Sequence, residues 1–107
     1  MISKVSQVAM AAKDYGVLST FQLSVFLQCA EKQGLGVFDI FGVEPGNPEY
    51  STYYGAIRQL MLGASNRGYN GANVLCWGDK LRGKERALLL TPKGRRFLKV
   101  IQETLGS

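Results

Sequence analysis

The sequence contains no histidine and only two cysteines, Cys29 and Cys76. The cysteines stand in separate apolar contexts without CxxC spacing. A zinc site takes about four ligands of Cys, His or carboxylate type, so no metal site is expected. Two buried free thiols in a reducing compartment is the reading the cysteines support. The acids are few and scattered, and none pair as general acid and base. A GxxxxGK(S/T) phosphate loop is absent. A metal-dependent nuclease needs clustered carboxylates, whereas Asp79 and Glu85 sit among cations. The chain therefore does not read as an enzyme, and no cofactor is expected. No apolar run approaches the ~18 residues of a membrane span, and no basic stretch followed by a long apolar run marks a signal peptide. The expected location is the cytoplasm.

What is present fits one folded domain over residues 1–107. Hydrophobic residues make up 46% and charged residues 20% of the 107, ordinary values for a globular chain. A chain this short buries a modest share of its surface, so self-association is expected to help stabilise it.

The 13 Lys and Arg outnumber the 8 Asp and Glu, giving a formal charge of +5. Their distribution is uneven. Between 58 and 99 stand ten bases (Arg58, Arg67, Lys80, Arg82, Lys84, Arg86, Lys93, Arg95, Arg96 and Lys99) against Asp79 and Glu85, a net +8. Residues 1–57 hold three bases and five acids, a net −2. A block of positive charge in one half is the footprint expected of a nucleic-acid partner. A merely solvated basic surface would look the same on charge alone.

Apolar spacing predicts the elements. Ile2, Val5, Val8, Ala9 and Ala12 form one stripe of a helix over 2–13, ended by Tyr15-Gly16. Ser19 or Thr20 caps a second helix from Phe21 to Lys32, with Leu23, Phe26, Leu27 and Ala30 on its buried side. Residues 36–43 fit a short helix or a strand, and the helix is preferred. In the turn Glu44-Pro45-Gly46-Asn47-Pro48, Asn47 caps and Pro48 opens a helix running from Tyr50 to Leu62. Its buried face is Tyr53, Ala56, Ile57 and Leu60. A loop from Ala64 to Asn73 leads to a strand at 74–77, a basic connection at 78–84 and a second strand at 85–90. Thr91 then caps a last helix with Pro92 in its first turn and an apolar stripe of Phe97, Leu98, Ile101 and Leu105.

The run Leu88-Leu89-Leu90-Thr91-Pro92-Lys93-Gly94 resembles the L-T-x-x-G junction of MarR-type winged helix-turn-helix DNA-binding proteins, where a wing strand runs into the next helix. Upstream, Ser51-Thr52-Tyr53-Tyr54-Gly55-Ala56-Ile57-Arg58-Gln59-Leu60 resembles that family's recognition helix. The resemblance covers roughly residues 18–101. It implies a mainly α fold with a small β-hairpin (α+β), a winged helix, and a homodimer formed through the terminal helices. Those helices are shorter here than such dimers usually employ.

The residues themselves suit duplex DNA. The major groove admits an α-helix and presents a distinct donor and acceptor pattern for each base pair. On the helix 50–62, Ser51 and Thr52 can donate to phosphates or bases. Arg58 can pair with guanine or phosphate, and Tyr54 can stack on a sugar or touch a thymine methyl. Gly55 lets the backbone come close, and Gln59 lies on or near the same face. On the wing 78–86, Lys80, Arg82, Lys84 and Arg86 alternate and can share one face toward the backbone or minor groove. Lys93 and Arg95 can extend the phosphate surface. The expected function is sequence-specific duplex binding in transcriptional control. The alternative is a winged-helix module for a protein partner, using the aromatic start Tyr50, Tyr53 and Tyr54.

Overall fold

A computed structural model describes residues 4–17, 19–61, 71–81 and 85–106. Among these residues the chain is mainly helical with one small antiparallel sheet, an α+β arrangement. Helix α1 spans Lys4–Asp14, α2 Thr20–Glu31, α3 Val37–Phe41 and α4 Pro48–Leu60. Strand β1 spans Leu75–Lys80, β2 Arg86–Leu90, and helix α5 Pro92–Gly106. The ambiguous stretch 36–43 thus holds a short helix rather than a strand, limited to Val37–Phe41. Ile2, and the predicted loop as far as Asn70, lie outside the described residues.

Capping side chains set the helix starts. The Ser19 hydroxyl accepts from the Gln22 N–H at 3.1 Å, and Asn47 Oδ1 accepts from the Glu49 N–H at 2.9 Å with Pro48 beginning α4. Thr91 serves α5 twice. Its hydroxyl accepts from the Gly94 N–H at 2.9 Å and donates to the Asn73 carbonyl at 2.6 Å. One side chain thereby satisfies an orphan helix donor and a carbonyl of the preceding segment.

Helix α4 ends at Leu60, two residues short of the predicted end at Leu62. The reason is tertiary. The returning chain donates from Ala72, Asn73 and Val74 to the carbonyls of Gln59, Met61 and Leu60, at 2.9, 3.1 and 2.8 Å. These bonds satisfy terminal carbonyls that further helix would otherwise serve. Only glycine fits at the entry: a Cβ at Gly71 would lie 1.8 Å from the Met61 carbonyl oxygen. The same bonds explain why β1 begins at Leu75 rather than Val74. The Val74 N–H is committed to Leu60, and its carbonyl accepts from Thr91 N–H at 3.2 Å. Gly94 packs on that carbonyl so closely that a Cβ would stand 2.0 Å from its oxygen. The segment 71–74 is therefore clamped between the end of α4 and the start of α5.

The core draws Val25, Phe26 and Cys29 from α2, Ala56, Ile57 and Leu60 from α4, Leu75, Leu88 and Leu90 from the strands, and Phe97 and Ile101 from α5. Phe97 is at the centre, 4.8 Å from the Phe26 ring and 4.9 Å from Tyr15. Each large apolar side chain so buried contributes about 1.5–3 kcal/mol.

Several expected core positions differ. In α2 the fully buried residues are Val25, Phe26 and Cys29, whereas Leu23, Leu27 and Ala30 are only half-buried. The latter three still pack against the core, whose deepest contact with α2 is shifted toward Val25 and Cys29 beside Phe26. Leu105 is 52% exposed although it continues the stripe of Phe97 and Ile101, since α5 runs on past the core at its C-terminal end. Ala9 is exposed while Val8 and Ala12 are buried, so the stripe of α1 is narrower than expected. Both cysteines are free, but only Cys29 is buried; Cys76 is half-buried in the thin sheet.

The strands pair with Leu75 opposite Leu90, Cys76 opposite Leu89, Trp77 opposite Leu88 and Lys80 opposite Arg86. An irregularity falls between Trp77 and Lys80. Strand β1 thus continues through Gly78, where the expected connection began. Gly78 permits this, because a Cβ there would meet Leu89 Cδ1 at 2.7 Å. On the far edge of β2, the Gly34 N–H donates to the Leu88 carbonyl and the Leu88 N–H donates to the Leu35 carbonyl, both at 3.0 Å. The hairpin is thereby tied to the link between α2 and α3.

Candidate nucleic-acid interface

Helix α4 divides cleanly around its circumference. Ala56, Ile57 and Leu60 are buried, and Ser51, Thr52, Gly55, Arg58 and Gln59 are exposed. The exposed set recurs at intervals of three and four, the spacing of one helix face. A Cβ at Gly55 would meet nothing within 4 Å, so this glycine leaves a flat place on the exposed face. At the far end of the face, the Gln59 side chain accepts from Gln22 of α2.

Tyr50 and Tyr54 form the flank of α4 nearest the hairpin. Their rings stack with centroids 6.0 Å apart, and Tyr54 is 5.9 Å from the Trp77 ring of β1. Tyr54 is half-buried, with part of its surface spent on Trp77 rather than open to a ligand. Tyr53 turns the other way, stacked on Phe41 at 4.5 Å and tilted against Phe21 at 5.5 Å. Helix and hairpin therefore share an aromatic seam, its ring centroids within the roughly 4.5–7 Å of favourable aromatic pairs.

Lys80 and Arg86 face each other across the hairpin, and both are exposed. Side chains alternate along a strand, so Arg86 shares the sheet face of Leu88 and Leu90, the one turned toward the helices. Arg86 reaches the aromatic seam, and Lys80 pairs with it across the sheet. Arg86 joins Tyr50, Tyr54, Trp77, Val37 and Glu85 in lining one cleft of about 120 Å³. Like charges directly opposite in a sheet repel. The Arg86 Nε donates to the Gly78 carbonyl at 3.2 Å, which holds its guanidinium along the irregular part of β1. Arg82 and Lys84 lie outside the described residues.

Glu85, expected as an opposing charge among these cations, has another task. Its Oε1 accepts from the Phe38 N–H at 3.1 Å, serving the start of α3, whose capping position is the side-chain-free Gly36. Burial, then the Glu85 carboxylate and Tyr54, push the Tyr50 hydroxyl above its ordinary pKa of 10.0. At the start of α5, Lys93 is half-buried and Arg95 is exposed, with Arg95 Nη1 donating to the Leu90 carbonyl at 3.3 Å. These two do not line the cleft between α4 and the hairpin.

The structure thus gathers Tyr54 and Arg86 at one cleft, with Ser51, Thr52, Gly55, Arg58 and Gln59 on the adjoining helix face. Sequence reasoning did not find Gln22, Glu85 or the seam of Tyr50, Tyr54 and Trp77 as parts of this arrangement. The four-residue spacing of the two tyrosines carried the only signal; nothing local foretells the partners of Gln22 or Glu85.

The chain matches no protein-family model, and no curated protein or solved structure matches it.

Proposed function

We propose that this chain is a sequence-specific duplex-DNA-binding protein of winged helix-turn-helix type that acts in transcriptional control. In this reading α4 is the recognition helix and the β1–β2 hairpin is the wing. The observation that carries it is the cleft where Arg86 of the hairpin meets Tyr50 and Tyr54 of α4. Around that cleft an exposed polar helix face adjoins a pair of opposed cations. Phosphates between Lys80 and Arg86 would relieve their mutual repulsion, while Ser51, Thr52 and Arg58 reach base edges or the backbone.

The junction at Leu90–Gly94 supports the MarR-type kinship. Thr91 caps α5 and Gly94 packs against Val74, so both residues of the motif have a physical task where strand passes into helix. The protein-partner alternative loses part of its support, because Tyr50, Tyr53 and Tyr54 are engaged with other rings of the chain. The reading assigns no catalytic step, and the dominant task is binding.

The test is selection from a pool of random duplexes, followed by titration of the enriched sequence. Enrichment of one sequence, lost on Arg58→Ala, supports the proposal. A pool that emerges unenriched counts against it.

A further inference from the structure

We infer that the outward face of α2, together with the neighbouring face of α1, is the surface on which a second copy of this chain docks, the two copies lying antiparallel about a two-fold axis. This inference stands apart from the DNA-binding reading and concerns a different face. Helix α2 reads TFQLSVFLQCAE and carries no charged residue before Glu31. Its core face is Val25, Phe26 and Cys29. Leu23 and Leu27 lie one turn apart beside that face; they pack against the edge of the core and keep part of their surface exposed. With the polar row Thr20, Ser24, Gln28 and Glu31 alongside them, the outward side of α2 is mixed, two leucines set among small and polar side chains.

Two hollows run along that face. One, of about 360 Å³, is floored by Ala12 and Val17 and reaches Lys13. The other, of about 270 Å³, runs past Leu27 and Gln28 to Glu31. They meet at Thr20 and Leu23, which line both, so together they form one groove. An exposed cation, Lys13, marks one end and an exposed acid, Glu31, the other. The groove is therefore self-complementary in charge. A two-fold interface presents the same patch from both sides, so that residue i meets j while j meets i. With α2 laid antiparallel on its copy, leucines meet over the middle and each Lys13 faces the Glu31 of the other protomer. The small side chains Thr20 and Ser24 let the helices approach closely. A parallel arrangement would set like charges together at both ends.

This interface keeps α1 of the terminal helices that the sequence resemblance implies, but uses α2 in place of α5. It is tested by sedimentation equilibrium on the full chain and on charge-reversed variants. The wild type is expected to dimerise. Lys13→Glu and Glu31→Lys, both at exposed positions, are each expected to weaken the dimer about tenfold, since two pairs turn repulsive at once. The double variant is expected to restore it. An equimolar mixture of the two single variants is expected to form a heterodimer tighter than either homodimer, because opposite charges then meet at both ends. A wild type that stays monomeric, leaving the groove to a segment of another protein, overturns the inference. So does a dimer indifferent to all three variants, which would lie on another surface, such as the one carrying the exposed Met10 or Leu105.

Discussion

Tyr54 of α4 and Trp77 of β1 meet ring to ring at 5.9 Å, and this contact joins the helix to the hairpin. It fixes how the cations of the hairpin stand relative to the exposed face of α4. Trp77 is the only tryptophan in the chain, so its emission reports on the joint directly. Tyr54→Ala is expected to shift that emission to the red and to cost about 1 kcal/mol in urea unfolding, the scale of an aromatic pair. Tyr53→Ala removes stacking on the other flank of α4 and is expected to leave the emission wavelength nearly unchanged.

The clamp around 71–74 makes a sharper prediction. Gly71→Ala and Gly94→Ala would each bring a Cβ to within 2.0 Å or less of a carbonyl oxygen. Backbone cannot yield cheaply on both sides of that segment, so each change is expected to cost more than ~3 kcal/mol, beyond the usual range for a single substitution. Gly55→Ala, with open space around it, is expected to stabilise α4 by a few tenths to ~1 kcal/mol. Chemical denaturation of the three variants checks the ordering.

Thr91→Val keeps the shape and loses both hydrogen bonds of the hydroxyl. A loss of about 2 kcal/mol is expected, with Thr91→Ser recovering most of it. Thermal melts distinguish the two.

How much of this was legible beforehand follows the range of the interactions. Asn47, Pro48 and Thr91 act within three residues along the chain, and their sequence signals located the starts of α4 and α5. The stripe of Phe97 and Ile101 likewise reports its own helix. The end of α4 was misplaced because residues 72–74, a dozen positions downstream, satisfy its carbonyls. The core side of α2 was legible in part: Phe26 is fully buried and Leu23, Leu27 and Ala30 pack against the core. Val25 and Cys29, off that stripe, are buried more deeply than those three, through contacts that periodicity does not register. The exposed face of α4 was legible, since a buried stripe fixes its opposite. Glu85 was read as a tip charge because no local rule foretells that a hairpin carboxylate reaches Phe38, 47 positions away.

Cys29 gives a prediction in alkaline solution. Burial raises its thiol pKa from 9.0 to about 12. The folded state thus holds its proton where the unfolded state releases it. Stability from this group is full below pH 9 and is lost progressively as pH rises toward about 12. Unfolding midpoints of the wild type are expected to fall more steeply across that window than those of Cys29→Ala. In the native protein at pH 8, Cys29 is expected to resist iodoacetamide while the half-buried Cys76 reacts.

The central claim is that α4 and the hairpin present one DNA-binding side. The most direct measurement is the salt dependence of affinity for an enriched duplex, compared between the wild type, Arg58→Ala and Lys80→Ala. A phosphate-contacting cation is expected to reduce the slope of log K against log salt by about 1 when removed, and a base-reading one to relax preference at one position. The account predicts steep salt dependence in the wild type, weakened by both changes. Binding that is insensitive to salt and to both substitutions would contradict it.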